Sequence, residues 1–263
     1  MSSRATQADL LEQRILENAA AQEVDLGTWI FERIHLRPQD RVLELCCGTG
    51  GQSLRFLEHL GEGGRLVALD ISKKALQTLA SKAEAAAADK LVLIEGNLDD
   101  FGSSLQTACL RPASFDLAFC AYGLYYSADA RHRLTEVRSW LKPEGRIAIV
   151  GPFGPNNEPL FDMVRESGII IPQPVIDSSD RFMLETVLQW GTTNFEVLSV
   201  YTMVNRVHWT APERVLNYWE NTTFYDAAKR PVFEQLLRAH FEKCREFINE
   251  KWVMMVEMSH ARA

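Results

Sequence analysis

Cysteine is scarce and uninformatively spaced: there are five, an odd number, with no C-x-x-C pair. That excludes a disulfide framework or a cysteine zinc site as the organising device. Reduced thiols in a cytoplasmic protein are the expectation. No apolar run approaches the roughly 20 residues of a membrane span. Met1 to Asn18 is polar and charged, without the apolar stretch of a secretion signal. A soluble chain with no membrane partner is therefore expected. Positive charge is also short. Twenty-eight Lys and Arg against 35 Asp and Glu leave a net charge of −7. The densest basic stretch, Arg131 to Arg138, is broken by Glu136. A surface of that sign repels phosphate backbones, which disfavours nucleic acid as a partner. No set of carboxylates and histidines has metal-ligand spacing, so no metal is expected.

What is present is ordinary globular material, 46% hydrophobic and 24% charged over 263 residues. This suits one substantial domain, with a cap, better than two independent ones. Apolar spacing predicts helices over 8–22 and 25–34, closed by Pro38. Strand and helix signals then alternate: strands 41–45, 65–69, 90–94, 115–120 and 146–150, with helices 52–60, 73–88 and 130–141. Strands separated by crossover helices imply an α/β fold with a doubly wound, mostly parallel sheet. After Gly151 prolines cluster, and 151–180 reads as loops broken by a short helix. Strands are expected at 195–209 and 252–258, with helices at 211–219 and 232–248 between them.

The sharpest feature is Val42-Leu43-Glu44-Leu45-Cys46-Cys47-Gly48-Thr49-Gly50-Gly51, a strand running into a glycine-rich turn and then a helix. Glycines there allow tight turning and let a ligand lie directly on backbone. Asp70 closes the second strand, where a carboxylate can accept both hydroxyls of a ribose. The turn alone serves a dinucleotide dehydrogenase equally well. Glu44 as a loop anchor and Asp70 as a helix cap stay open as structural alternatives. Asp99 and Asp100 read as loop caps, and Asp116 as a structural acid at its strand start.

The third strand ends in Ile94-Glu95-Gly96-Asn97-Leu98-Asp99-Asp100-Phe101, and the fourth is Phe115-Asp116-Leu117-Ala118-Phe119-Cys120-Ala121-Tyr122. A turn with Pro and Gly, Leu141-Lys142-Pro143-Glu144-Gly145, feeds the fifth. With these in place, residues 38–151 resemble the class I S-adenosylmethionine-dependent methyltransferases, nearest the ubiquinone/menaquinone biosynthesis C-methyltransferases and related small-molecule enzymes. The resemblance implies a seven-stranded Rossmann-like sheet and S-adenosyl-L-methionine as cofactor. Glu44, Cys46, Gly48 and Gly50 match the motif holding the methionine part and the ribose, with Cys46 in place of the commoner glycine. Asp70 matches the ribose acid and Ile71 the residue against adenine. Asn97 stands where an aspartate usually binds the adenine amino group, and Leu98 would offer its backbone N–H. Cys120 matches the position whose carbonyl holds the methionine ammonium.

A sulfonium methyl is already electrophilic, so the protein has to align a nucleophile and exclude water. Tyr122, Tyr125 and Tyr126 are the expected aromatic substrate wall, with Tyr122 and Tyr126 as candidate catalytic groups. Many relatives carry His-His where Tyr125-Tyr126 stands. His208 is the candidate base, with a structural histidine as the competing reading. The expected organisation is helices over 1–37 covering the cofactor cleft, a cofactor-binding core over 38–151, and 152–263 completing the sheet. Within this last part, an insert at about 210–250, with the 152–190 region, would cap the substrate through Trp219 and Tyr225. The function expected is methyl transfer to a small-molecule O, N or C nucleophile. An NAD(P)-dependent oxidoreductase and a non-catalytic methyltransferase-like binding protein are the alternatives. A homodimer is a further open expectation, since aromatic clusters also build interfaces.

Overall fold

Residues Arg41–Leu45 form β1, whose last four side chains are all buried, as a strand covered on both faces requires. In the computed structural model, which describes residue 4, residues 7–83 and residues 89–260, β1 is a central strand of a seven-stranded sheet. The other strands are β2 (Arg65–Asp70), β3 (Leu91–Glu95), β4 (Phe115–Ala121), β5 (Leu141–Pro152), β6 (Val197–Trp209) and β7 (Phe247–Ser259). Their spatial order is β3-β2-β1-β4-β5-β7-β6. Strands β3, β2, β1, β4 and β5 pair in parallel. The last strand therefore slots between the fifth and sixth. A dinucleotide-binding sheet runs 3-2-1-4-5-6, so the order itself separates the two readings of the glycine turn.

The helices are α1 (Ala8–Ala19), α2 (Leu26–Phe31), α3 (Gly51–His59), α4 (Lys73–Lys82), α5 (Phe101–Thr107), α6 (Ala130–Trp140), α7 (Glu158–Glu166), α8 (Gln173–Asp180), α9 (Gln189–Asn194), α10 (Pro212–Glu220) and α11 (Arg230–Lys243). Their starts are chemically marked. Ser72 caps α4 by accepting from Ala75 N at 3.3 Å, and Asp129 caps α6 by accepting from His132 N at 2.9 Å.

Four expectations need correcting. The helix expected over 73–88 is described to Lys82, and 84–88 lie outside the described residues. The Leu141–Gly145 turn is part of β5: Leu141 already pairs with Phe115, and a bulge follows before Leu117 meets Arg146. Gly145 permits this, since a Cβ there would lie 2.7 Å from Leu141 Cβ and 2.9 Å from Lys142 O. The helix expected to Ile248 stops at Lys243, because Cys244 is extended and Phe247 turns inward as the first residue of β7. Finally, residues 182–190, part of the 152–190 region expected to help form the cap, fall in a π-helical turn (Phe182–Leu188) and the start of α9, within the unit that carries β1 to β5.

Two compact units result, neither continuous in sequence. The sheet unit comprises Leu26–Gly151, Phe182–Tyr201 and the chain from Met254 on. Its core joins Leu43, Leu66, Phe101 and Phe119, with Phe56 edge-on to Phe119 at 5.1 Å. Each such side chain contributes about 1.5–3 kcal/mol by leaving water. The helical unit comprises the chain up to Asp25, Pro152–Arg181 and Thr202–Val253. Leu160, Trp209, Trp219 and Phe233 form its core.

Candidate active site

All the carboxyl ends of β1, β2, β3 and β4 belong to the sheet unit, and the reversal of strand order falls between β1 and β4. In such sheets the crevice above that point is where ligands bind. Two non-glycine residues stand on either side of it with left-handed backbone, Cys46 after β1 (φ 57°) and Tyr122 after β4 (φ 56°). Conformations of that kind cost of order 1–3 kcal/mol and concentrate at functional sites. The left-handed turn at Cys46 also explains why glycine is the commoner residue there. The walls of the crevice touch: a Cβ on Gly123 would lie 2.3 Å from Cys46 Cβ and 3.1 Å from Cys120 Sγ.

Two acids sit below this turn. Glu44 is 2% exposed, and its Oε2 accepts from Ser53 Oγ at 2.5 Å. Burial pushes its carboxyl up to about 8; the Ser53 hydrogen bond opposes that rise and repulsion from Asp70 adds to it. Asp70 Oδ2 accepts from Gly48 N and Oδ1 from Ser72 N, both at 2.8 Å. Its carboxyl is also raised by burial, held back by the backbone donors of Ser72, Gly48 and Ile71. Asp70 thus performs the helix-start role and still has lone pairs to spare. Among the described residues both acids accept only from neutral donors, so a ligand bringing positive charge would relieve their mutual repulsion. That donor set fits an adenosyl sulfonium with its methionine ammonium.

The remaining residues expected to hold the cofactor lie in the same unit. Ile71 is 45% exposed beside Asp70, an apolar surface for a flat base. Asn97 Oδ1 accepts from Asp99 N at 2.9 Å, capping the short turn that carries buried Leu98. Gly48 and Gly50 both have positive φ. Cys120 is buried, and its thiol, together with burial, holds the neighbouring Cys46 thiol protonated, so Cys46 is not a nucleophile. The structural acids behave as read. Asp116 accepts from Arg41 N and pairs with Lys142, Asp99 accepts from Ser127 Oγ and Ala128 N, and Asp100 accepts from Ser103 Oγ.

Tyr122, Tyr125 and Tyr126 are half-buried in one stretch after β4. The Tyr125 and Tyr126 rings lie 4.7 Å apart, and Phe182 meets Tyr125 edge-on at 5.6 Å. Phe182, from the π-helical turn, is an aromatic neighbour that periodicity gave no reason to place here.

The other candidates, His208, Trp219 and Tyr225, belong to the helical unit. His208 lies in the helical unit with Nε2 on Glu23 Oε1 and Nδ1 on Glu246 Oε2, both at 2.9 Å. Those two carboxylates raise its pKa, Glu23 foremost. Both ring nitrogens are thus engaged by carboxylates of its own unit. Trp219 is fully buried, stacked on Phe233 at 4.1 Å and met edge-on by Tyr225 at 4.9 Å. Its ring is covered by its own unit, which leaves no face for a substrate. Tyr225 is half-buried, with the Arg4 guanidinium 5.3 Å from its ring centroid.

Among the described residues no group of three or more His, Cys, Asp or Glu could hold a metal ion, and no helix is long and apolar enough to cross a membrane.

Residues 36–181 match a family model described as a methyltransferase domain. A 2-phytyl-1,4-naphthoquinone methyltransferase from Trichormus variabilis is 30% identical over 177 residues, which are 60% of this chain and 74% of that protein. Among solved structures, the YcgJ protein from Bacillus subtilis superposes with a TM-score of 0.60 at 14% identity, covering 90% of this chain and 98% of that one. Geranyl diphosphate C-methyltransferase from Streptomyces coelicolor, solved with Mg2+, geranyl diphosphate and S-adenosyl-L-homocysteine, gives 0.52 at 15%, over 89% and 77%. At those identities the structural likeness is one of fold. The class the fold and the crevice define is the Rossmann-like methyltransferase. By its sequence the chain belongs to the methyltransferase-domain family.

Proposed function

We propose that the chain transfers the methyl group of S-adenosyl-L-methionine to a small planar acceptor. One observation carries this: Glu44 and Asp70, two largely buried acids at the carboxyl ends of β1 and β2, are satisfied only by neutral donors. In this reading Asp70 takes the ribose hydroxyls. Ile71, Asn97 and Leu98 surround the adenine. Glu44, Cys46, Gly48, Gly50 and the Cys120 carbonyl hold the methionine end. The bound cofactor supplies an activated methyl; the chain orients the acceptor and keeps water out. Tyr122, Tyr125 and Tyr126 form the wall against which a ring would lie, their faces attracting the sulfonium charge. The naphthoquinone named for the Trichormus relative makes fused-ring quinones and their electron-rich hydroquinones the first class to try. We assign His208, Trp219 and Tyr225 to the structure of the helical unit.

Incubation with methyl-labelled cofactor and metabolites below 1 kDa tests this. Label should enter the small-molecule fraction and be lost in Asp70→Ala. Label in nucleic acid or protein alone would contradict the acceptor class, and cofactor binding without any transfer would favour the non-catalytic reading.

A further inference from the structure

The sheet unit holds a cavity of about 630 Å³ at the end of the strands away from the cofactor residues. Asp40, just ahead of β1, and Arg146, which faces Leu117 early in β4, mark that end. Cys46, at the other end of β1, is roughly 20 Å away along an extended strand. The wall is drawn from the segment before β1, from β5 and β6, and from the end of β7. It carries His35, Arg37, Arg146, Ser199, Ser259 and His260, all in the one unit.

Arg146 is 9% exposed, yet its hydrogen bonds all run through Nη2, which donates to His35 O at 2.5 Å and to Asp40 Oδ2 at 2.7 Å. Nε is buried without a hydrogen-bond partner, since Glu257 Oε1 at 3.6 Å is beyond reach of one. Nη1 has no acceptor among the described residues either. Arg37 gives its backbone N–H to Asp40 Oδ2 at 3.0 Å, while its exposed guanidinium meets no described acceptor. The Ser199 and Ser259 hydroxyls are likewise unmet among the described residues. The wall has two acids, Glu144 and Glu257. Glu257 is already taken, by His35 Nδ1 at 2.7 Å and His35 N at 3.2 Å. Asp40 and Glu257 balance the charge of Arg146, so the free positive charge is that of Arg37, and Arg146 adds a directed N–H. Unmet donors gathered around open space call for an acceptor.

We infer that this cavity binds a small oxyanion, a carboxylate or phosphate group, through the Arg37 guanidinium, Arg146 Nη1 and the Ser199 and Ser259 hydroxyls. Guanidinium donors suit such a group in shape as well as charge. It is a second ligand site, independent of the methyltransferase reading, and an occupant there ties the segment before β1 to β5, β6 and β7. Glu144, exposed on the same wall, opposes the anion and limits its affinity.

Calorimetry on the full chain in Tris-chloride at constant ionic strength tests it, with inorganic phosphate, malonate and, as the neutral control, malonamide. Phosphate or malonate should bind one-to-one with a Kd at or below about 1 mM, and malonamide should not bind. The tighter of the two anions names the group. Arg37→Leu should weaken that anion roughly tenfold or more, through loss of a charge-assisted contact. Arg111→Leu removes the same charge at an exposed position outside the cavity and should leave the affinity unchanged. Glu144→Gln should tighten binding about twofold or more by removing the opposing charge. All three substitutions fall on exposed residues, so the fold is retained in each. No saturable binding of either anion, or equal weakening in Arg37→Leu and Arg111→Leu, would overturn the site. Displacement of the anion by S-adenosyl-L-homocysteine would put it in the cofactor crevice and overturn the site as well.

Discussion

Burial lifts the Glu44 carboxyl to about 8, with Asp70 adding repulsion and Ser53 opposing. A carboxyl whose folded pKa exceeds its unfolded value near 4.5 favours folding while protonated. Its contribution is complete below that lower value and is lost as pH rises through about 8. The thermal midpoint of the ligand-free protein should therefore fall as pH rises from about 5 to about 8, and Glu44→Gln should flatten that fall. A cationic ligand favours the ionised acid, so binding near pH 7.5 should release a proton. Calorimetry in two buffers of different ionisation enthalpy reads that release directly, and Glu44→Gln should remove it. Gly123 makes a steric prediction: Gly123→Ala should cost about 1–3 kcal/mol, since its Cβ would meet Cys46 Cβ at 2.3 Å. Denaturant unfolding measures it. At this scale Glu44, Asp70 and Asp116 could be read from their places at strand ends. The strain at Cys46 and Tyr122 could not, because neither residue type announces a positive φ as glycine does.

The elements are joined by charge clamps at both ends of the chain. In the sheet unit, Arg146 on β5 donates to Asp40 Oδ2 at 2.7 Å and lies 3.6 Å from Glu257 Oε1 on β7. Asp40 and Glu257 are 2% and 4% exposed, so Arg146→Met would take the guanidinium from two buried acids and leave Glu257 only His35. The cost should be about 3–5 kcal/mol, read as a lowered denaturation midpoint. In the helical unit, His208 on β6 joins Glu23, beyond α1, to Glu246, ahead of β7. Its pKa is raised, so its stabilisation is full below the unfolded value near 6.5 and disappears as pH climbs through the folded one. His208→Gln should remove that part of the alkaline loss of stability and leave the Glu44 part intact, which thermal melts of the single and double variants separate. Strand and helix order was legible because apolar runs of five alternate with helical spacing. The β5 bulge and the early end of α11 were not, since both depend on partners distant in sequence, Phe115 for the one and Trp209, which stacks on Phe247, for the other.

For the whole chain, the glycine turn alone left two cofactors open, and the order β5-β7-β6 closes that choice where local sequence could not. The acceptor side was the least legible part. Aromatic content pointed to Trp219, whose ring the fold buries against Phe233. The most direct test is calorimetric titration with S-adenosyl-L-homocysteine and, separately, NADH. One-to-one binding of the first with proton release, weakened by Asp70→Ala, together with no heat from the second, is predicted. Silence at millimolar S-adenosyl-L-homocysteine, or binding of NADH in its place, would contradict it.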